Sequence, residues 1–422
     1  MDSPLKQARG KFIAFALLYA GWCISYIDRT AISIALASIG KDFKLNPSIQ
    51  GVILSTFFVG YAIMQLPGGW LADKFGSKRV IIVSLFAWSA FTVLTGLTWS
   101  VTSLIIIRFL FGIGEGAFPC ASLKGVAEHF PRAERPKMTA GLLSSNYVGS
   151  ALAPMVVAPL LFYVGWRHMF AAIGIIGIAF VLVFWRAVPT VKVAELDEHH
   201  GEKASLGGDV NLRLLLRMPL MWQLVIAWFG LSLVNKGLDT WMPTYLLTVS
   251  HLNLKAIGVL TPFPFVAAGI STAIGGWVMD RFFDGREKYL LSGSALLTAF
   301  FLYFMYTAET AVMVIAFQCL VYFFKSFVLA ASLALPAKLL PGKIVGSASG
   351  MINLGGQSAG FVAPVIIGLM ISLFGGSYNA AFWFLIGAAV LSAFASSTIR
   401  KRRPVPLTVL ALNEHEVKGK LV

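Results

Sequence analysis

The sequence predicts an all-α membrane protein with twelve transmembrane helices in two six-helix halves. Three observations predict it: an apolar composition, apolar stretches long enough to span a membrane, and a loop pattern that occurs once in each half. Of the 422 residues, 57% are hydrophobic and only 13% are charged, whereas soluble domains carry roughly a quarter charged residues. So much apolar surface favours lipid as its solvent.

The net charge of +15 and the three cysteines narrow the class further. In a soluble chain such a basic excess would suggest nucleic acid, but here the basic residues cluster in short stretches between apolar runs. Cys23, Cys120 and Cys319 lie inside apolar stretches, so neither a disulfide framework nor a metal site is indicated. The first apolar run is longer than a signal-peptide core and contains charges, so we expect it to be retained as a helix.

Twelve stretches approach the roughly 20 apolar residues that a helix needs to cross the hydrocarbon. The longest gap between them is polar and separates six stretches from six, which predicts an N-terminal half (1–188), a cytoplasmic linker (189–218), a C-terminal half (219–399) and a cytoplasmic tail (400–422). The predicted spans are 12–38, 49–72, 79–98, 102–123, 138–162, 167–188, 219–247, 256–280, 289–307, 310–337, 345–373 and 378–399.

The distribution of Lys and Arg predicts the orientation of these spans. With the N-terminus inside, the cytoplasmic segments hold 26 of these residues, and the opposite side holds only Lys41, Lys44, Arg167 and Lys255. Cytoplasmic loops of membrane proteins carry such an excess of basic residues. Both termini are therefore expected in the cytoplasm.

A loop pattern follows the second span at 69–79 (GWLADKFGSKR) and the eighth span at 276–286 (GWVMDRFFDGR). Its first glycine is expected to allow close helix contact and its second to form a tight turn. Asp73 would lie where a helix meets the cytoplasm, and basic residues such as Arg79 would keep the loop inside. A generic basic turn is the alternative, but the recurrence at corresponding places argues against it.

This loop resembles the signature of the major facilitator superfamily, whose related halves rock about a midplane site. Four further segments resemble the anion:cation symporter family, which includes bacterial sugar-acid permeases, sialin and vesicular glutamate transporters. These segments are 26–29 (YIDR), 108–119 (RFLFGIGEGAFP), 241–246 (WMPTYL) and 350–356 (GMINLGG). The glycine-rich run at 112–116 follows no strand, so it is not a nucleotide-binding loop.

Ionisable side chains inside the predicted spans are candidate functional groups, because each costs at least about 2.5–3.5 kcal/mol to insert. Four are basic and three acidic, and a positive surplus suits an anion. They are Asp28, Arg29, Arg108, Glu115, Lys236, Asp239 and Lys325.

Helix rise places Asp28 and Arg108 at similar depths, so the sequence predicts that they can pair. Glu115 lies two turns beyond Arg108, near mid-span. The family resemblance assigns Arg29 the substrate carboxylate, Glu115 proton coupling, and Asp28 a second protonatable carboxylate. A guanidinium offers a two-pronged fork to carboxylates, and burial favours the protonated form of a carboxyl. Ion pairs that only join helices remain the alternative.

Lys236 and Asp239 are three residues apart on a helix, which predicts a self-neutralising pair. We expect them, together with Arg108, Asp73 and Arg79, to act in ion pairing or gating. Lys325 has no acidic neighbour in its own span, so it either snorkels or faces a cavity.

Four neutral polar residues match positions that contact substrate in the resembling permeases: Tyr26, Tyr61, Asn146 and Asn353. Contacts that only join helices are the alternative for each. Asn146 stands where Gln is frequent, and the run 330–333 (AASL) offers few hydrogen-bonding groups. A less hydroxylated carboxylate, or a dianion that also uses Lys325, is therefore an alternative to a sugar acid.

The resemblance implies symport of a small organic anion with protons in a bacterial inner membrane. Exchange or facilitated diffusion and a non-transporting nutrient sensor are the rival functions. An enzyme is disfavoured, since no Ser-His or His-Glu constellation lies within a span. We expect a functional monomer in contact with lipid, with no cofactor, metal or nucleic acid.

Overall fold

The computed structural model describes residues 4–131, 133–188, 212–339 and 342–399, and the regular elements in these ranges are all α-helices. The helices up to residue 188 are α1 (Pro4–Asp42), α2 (Pro47–Phe75), α3 (Ser77–Gly96), α4 (Val101–Gly116), α5 (Phe118–His129) and α6 (Arg135–Ala187). Those after the described gap are α7 (Leu212–Arg217), α8 (Pro219–Thr248), α9 (Leu254–Leu260), α10 (Pro262–Phe282), α11 (Glu287–Thr307), α12 (Ala311–Leu339), α13 (Gly342–Leu373) and α14 (Asn379–Ser397).

Ten stretches among the described residues are long and apolar enough to cross a membrane. One of them, Lys137–Ala187, has 51 residues and would extend about 76 Å at 1.5 Å per residue, over twice the hydrocarbon thickness. Gly165 interrupts it with a φ of 73°, a left-handed conformation that glycine adopts without strain. This break falls between the two spans predicted at 138–162 and 167–188.

The cytoplasmic segments predicted at 189–218 and 400–422 lie largely outside the described residues. The described part of the first segment is α7, together with Met218. The chain thus enters α8 from a short helix rather than directly from a loop.

The two copies of the loop pattern confirm one prediction and correct another. The second glycine of each copy, Gly76 and Gly285, has a positive φ of 83° and 68°, as a tight turn requires. The first glycines do not mediate close contact. A Cβ at Gly69 would be in ordinary contact, 4.0 Å from Cys120, and one at Gly276 would meet nothing within 4 Å. In the first copy the close contact is made by Gly68 instead. A Cβ at Gly68 would lie 2.5 Å from the Cα of Ala117, the residue that precedes α5.

The packing of the core differs between the two ends of the bundle. One cluster of buried residues consists only of residues between 14 and 188. A second cluster joins residues of α1, α2, α4 and α6 to the helices from α7 onwards. The N-terminal helices therefore pack against the C-terminal ones at one end and against each other at the opposite end.

Two reciprocal glycine contacts join α2 and α13 at the end where the N-terminal and C-terminal helices pack together, here named the closed end. A Cβ on Gly51 would lie 3.1 Å from the carbonyl carbon of Pro364, and nearer still to its oxygen. A Cβ on Gly368 would overlap the carbonyl oxygen of Pro47. Trp241 adds a hydrogen bond from Nε1 to the Pro364 oxygen at 3.2 Å. This end holds 47–51, which the basic-residue count assigns to the outside.

Candidate functional site

The middle of α1 presents two charged side chains to different neighbours. Successive residues on a helix are about 100° apart, so Asp28 faces α3 while Arg29 faces α2 and α4. The Arg29 guanidinium carbon lies 4.8 Å from the ring centroids of Tyr26, Phe57 and Tyr61. Three aromatic faces thus hold the cation, which favours charge in an apolar site.

Glu115 on α4 is the carboxylate that neutralises Arg29. Its Oε1 accepts a hydrogen bond from Arg29 Nη2 at 2.6 Å and another from Ser25 Oγ at 2.5 Å. The Glu115 side chain is 1% exposed, and its Oε2 has no hydrogen-bond partner. Half of this carboxylate therefore remains available for a proton.

The predicted pairing of Asp28 with Arg108 is wrong. Asp28 Oδ2 accepts a hydrogen bond from Trp88 Nε1 at 3.0 Å, and its Oδ1 is buried without a partner. Arg108 is buried over the ring of Phe111 at 4.5 Å, and its Nε is also unpartnered. The two side chains therefore have different neighbours, an indole on α3 for Asp28 and an aromatic ring on α4 for Arg108.

Lys236 and Asp239 on α8 attract each other electrostatically but do not form the predicted direct ion pair. Asp239 Oδ1 accepts a hydrogen bond from the Tyr322 hydroxyl at 2.5 Å. Lys236 Nζ lies 5.0 Å from the ring centroid of Phe58 on α2. A hydroxyl and an aromatic ring from other helices therefore replace the expected partner of each residue.

Lys325 on α12 is buried and faces a cavity rather than snorkelling to the interface. Its Nζ donates to the side-chain oxygen of Asn235 and lies 3.7 Å from the ring centroid of Tyr322. The prediction that this residue faces a cavity is therefore consistent with the structure, and the groups in direct contact with its Nζ are neutral.

The central cavity has a volume of about 210 Å³ and lies between the N-terminal and C-terminal helices. A smaller one of about 50 Å³ adjoins it and contains Arg29 and Arg108. The residues common to both are Tyr26, Ser150, Lys236, Asp239 and Phe265. Of the other predicted site residues, Asn146, Lys325 and Asn353 line the larger cavity. Tyr61 lines neither and instead supports Arg29.

Four residues around the larger cavity carry buried polar atoms without a partner, which would cost about 1–3 kcal/mol each if left unsatisfied. Such atoms are available to a hydrogen-bonding ligand. They are Asn146 Oδ1, Trp228 Nε1, Ser232 Oγ and Gln357 Oε1.

Sequence reasoning missed Trp228, Asn235, Tyr322 and Gln357. The available signal was their proximity to predicted site residues on the same helix, since Asn235 precedes Lys236 and Tyr322 lies three residues before Lys325. These groups supply the hydrogen-bonding capacity that the run 330–333 was expected to lack.

Asp73, in the last turn of α2, and Arg79, in the first turn of α3, line neither cavity. Asp73 Oδ1 forms an ion pair with Lys124 Nζ at 3.0 Å, and Lys124 also donates to the Ala72 carbonyl at 3.0 Å. Arg79 is exposed. The carboxylate of the loop thus ties α2 to α5 at this surface.

Among the described residues, His, Cys, Asp and Glu form no group of three or more that could hold a metal ion. The polar groups that line the two cavities include guanidinium, ammonium, carboxyl, hydroxyl and amide groups. They suit recognition of an oxygen-rich anion.

The profile described as Major Facilitator Superfamily matches residues 18–284 and 251–419. A probable sulfoacetate transporter of Cupriavidus necator is 34% identical over 396 residues, which are 89% of this chain and 90% of that protein. A probable galactarate/D-glucarate transporter of Escherichia coli is 29% identical over 93% of this chain and 95% of its own length. A hexuronate transporter of Bacillus subtilis is 28% identical over 94% and 96%.

Two solved structures show the same fold. A bacterial homologue of the human lysosomal transporter Spinster, in an inward-facing and occupied conformation, aligns with a TM-score of 0.80 and 18% identity. The alignment covers 94% of this chain and 98% of that one. A D-xylose–proton symporter aligns with a TM-score of 0.71 and 18% identity over 94% of this chain and 98% of its own.

Proposed function

The chain belongs to the Major Facilitator Superfamily, and from this premise we propose that it carries a small organic anion together with protons by alternating access. The proposal includes twelve membrane crossings, cytoplasmic termini and two halves, 1–188 and 219–399, joined by the linker 189–218. It places the protein in a bacterial inner membrane, working as a monomer with no cofactor besides the coupling proton.

The ion pair between Arg29 and Glu115 carries this proposal. A guanidinium is the side chain best suited to bind a carboxylate through two hydrogen bonds, and here an internal carboxylate already occupies one of its nitrogens. A substrate carboxylate that replaces Glu115 on Arg29 leaves Glu115 buried and uncompensated. Because a buried charge without a partner is costly, Glu115 then takes up a proton on its free oxygen.

This exchange couples substrate to proton in both directions. Protonation of Glu115 frees Arg29 for the substrate, and binding of the substrate favours protonation, which is the reciprocity that linkage requires. Asp28 lies one residue from Arg29 with a buried free oxygen, so it serves as a second protonatable carboxylate.

The names of the relatives support the substrate class. Sulfoacetate, galactarate, D-glucarate and hexuronates are organic acids, and each carries a carboxylate. The four unpartnered polar atoms around the central cavity supply the further hydrogen bonds that such molecules require.

The packing of the bundle supports alternating access. The reciprocal contacts of Gly51 and Gly368 close one end, while at the other end the N-terminal helices form a core of their own. Separation of α2 from α13 with closure of the opposite end would expose the same cavity to the other side.

The decisive test uses Glu115→Gln, which imitates the protonated carboxyl. Purified protein in proteoliposomes is assayed twice, for uptake driven by a pH gradient and for counterflow of labelled substrate. The expected result is retained counterflow with loss of accumulation. Glu309→Gln, at an exposed carboxylate outside the cavity, serves as the matched control and should behave as the wild type.

Full pH-driven accumulation by Glu115→Gln would show that Glu115 is not the coupling group. Loss of both assays in a folded variant would identify a structural ion pair instead. Wild-type protein that performs counterflow but never accumulates substrate would be an exchanger or a uniporter.

A further inference from the structure

The walls of the transport site carry a fixed surplus of positive charge. Seven charged side chains lie in the middle of the described helices around the site, four cations and three carboxylates, so together they give the walls of the site a net charge of +1 when all are ionised. The cations Arg29, Arg108, Lys236 and Lys325 and the carboxylate Asp239 line the cavities. Asp28 and Glu115 are buried behind this lining, against Trp88 and Arg29.

Among the described residues, Arg108, Lys236 and Lys325 are the cations of this set that form no ion pair. Arg108 lines only the smaller cavity, over the Phe111 ring, so the two lysines are the unpaired cations of the larger cavity. Asp239 lines the same cavity and attracts both lysines electrostatically, but its hydrogen bond comes from the Tyr322 hydroxyl, and Lys325 donates to the neutral Asn235. Arg29, by contrast, already has Glu115.

The two lysines face the same space that Arg29 reaches from the other half. Both line the 210 Å³ cavity, and Lys236 also lines the smaller cavity with Arg29. Arg29 lies 4.8 Å from the Phe57 ring, Lys236 lies 5.0 Å from the Phe58 ring, and the two rings are 5.0 Å apart. These distances limit the separation of the two cations to at most about 15 Å.

Charge balance then relates the proton to the valency of the substrate. An occluded site in a membrane is least costly when its total charge is zero. Walls at +1 gain a second positive charge when Glu115 takes up its proton while Asp28 stays ionised. One proton together with a monoanion therefore leaves +1 buried, whereas one proton together with a dianion leaves none.

We propose that the substrate is a small dianion with two acid groups, one bound by Arg29 and the other by Lys236 and Lys325. This inference rests on the proposed proton-coupled function and specifies its substrate class. The lysines are the residues that select divalent over monovalent anions, and they act from the C-terminal helices while Arg29 acts from the N-terminal ones.

Two pairs of probes test it, each differing only by an acid group replaced by a hydroxymethyl group. Sulfoacetate is compared with isethionate, and glucarate with gluconate, by equilibrium binding to purified protein at fixed ionic strength. The wild type should bind the dianion of at least one pair roughly ten- to a hundredfold more tightly, the range expected for hydrogen bonds to a charged group. A preference within the sulfoacetate pair indicates a short substrate, and a preference within the glucarate pair indicates a six-carbon one.

Variants of the lysines identify the source of the preference. Lys236→Met or Lys325→Met removes one positive charge, so one proton and a monoanion then balance the walls. The ratio of the two affinities should fall to about one or reverse. Lys236→Arg, which keeps the charge, should retain the preference for the dianion. Lys255→Met removes an exposed cation outside the cavity and should leave the ratio unchanged.

The possible outcomes separate this inference from the function it rests on. Equal binding of both members of each pair, or a preference that survives both methionine variants, would overturn the dianion assignment while leaving organic-anion transport intact. If Arg29→Ala binds both members as tightly as the wild type, or if folded wild type binds none of the four, the proposed function itself fails. Loss of the preference in the methionine variants alone, with Lys236→Arg retaining it, supports the inference.

Discussion

Substitution of Gly368 by alanine tests the closed end of the bundle. The added Cβ would overlap the Pro47 carbonyl oxygen and lie 3.1 Å from Trp241 and 3.2 Å from the Gly51 backbone. Two of these three contacts are with backbone atoms, which cannot rotate away as a side chain can. The variant can therefore keep its helices intact only if α13 moves away from α2.

The magnitude follows from the geometry of this contact. Carbon contacts are most favourable at about 3.5–4.0 Å, so the two helices must separate by several tenths of an ångström to about 1 Å. Overpacking of this kind costs about 1–3 kcal/mol. The cost applies only to the state in which this end is closed. The ratio of closed to open molecules should therefore fall by about fivefold to 150-fold.

Spin labels at Lys41 and Ser372, in a background without native cysteines, measure the opening directly. Both positions are exposed, on the last turns of α1 and α13. Gly368→Ala should increase the population with the longer distance. Gly350→Ala on the same helix has nothing within 4 Å of its added Cβ and serves as the control, because the gain in helix propensity is the same.

An unchanged distance distribution in Gly368→Ala would refute the assignment of this contact as a closure surface. A longer distance in both variants would show that helix propensity, rather than steric overlap, shifts the equilibrium. Gly51→Ala, on the opposing helix, should reproduce the effect of Gly368→Ala, because its Cβ meets the Pro364 carbonyl.

Further predictions concern the site and the loop. Arg29→Ala should lower substrate affinity at least tenfold in folded protein, and Arg29→Lys should also bind more weakly because an ammonium lacks the two-pronged fork of a guanidinium. Equilibrium binding measures both affinities. An unchanged affinity would show that Arg29 has only a structural role. Asp73→Asn breaks the ion pair with Lys124 and should slow transport several-fold with affinity unchanged, as initial rates and binding together report; a normal rate would reduce the loop to a topological signal. Tyr322→Phe leaves Asp239 without its hydrogen bond and should lower thermal stability by about 1–3 kcal/mol, which a melting curve checks; an unchanged melting temperature would show that water or Lys236 replaces the hydroxyl.

The fold class could be predicted from the sequence because lipid places the same requirement on every segment that crosses it. Any chain that crosses the hydrocarbon must satisfy its backbone internally, so apolar stretches of the right length are helices. The positive φ of Gly76 and Gly285 was likewise predictable, since a turn between two helices requires a conformation that glycine adopts most easily. The first glycine of the pattern failed as a prediction, because close contact depends on the neighbouring helix.

The members of the site were also largely predictable. Ionisable residues in apolar spans are rare enough that each is informative, and Arg29, Lys236, Asp239 and Lys325 do line the cavities between the helices. Neutral residues such as Trp228 were missed, because tryptophan is equally common on a surface that faces lipid.

The sequence by itself predicted which charged groups lie within apolar spans and at what depth, because helix rise converts residue number into depth. Only the tertiary structure decided which groups pair. Asp28 and Arg29 differ by one residue and about 100° of rotation, and they contact Trp88 and Glu115 on different helices. Rotation about the helix axis is set by packing against neighbours, so depth alone predicted partners that the structure does not contain.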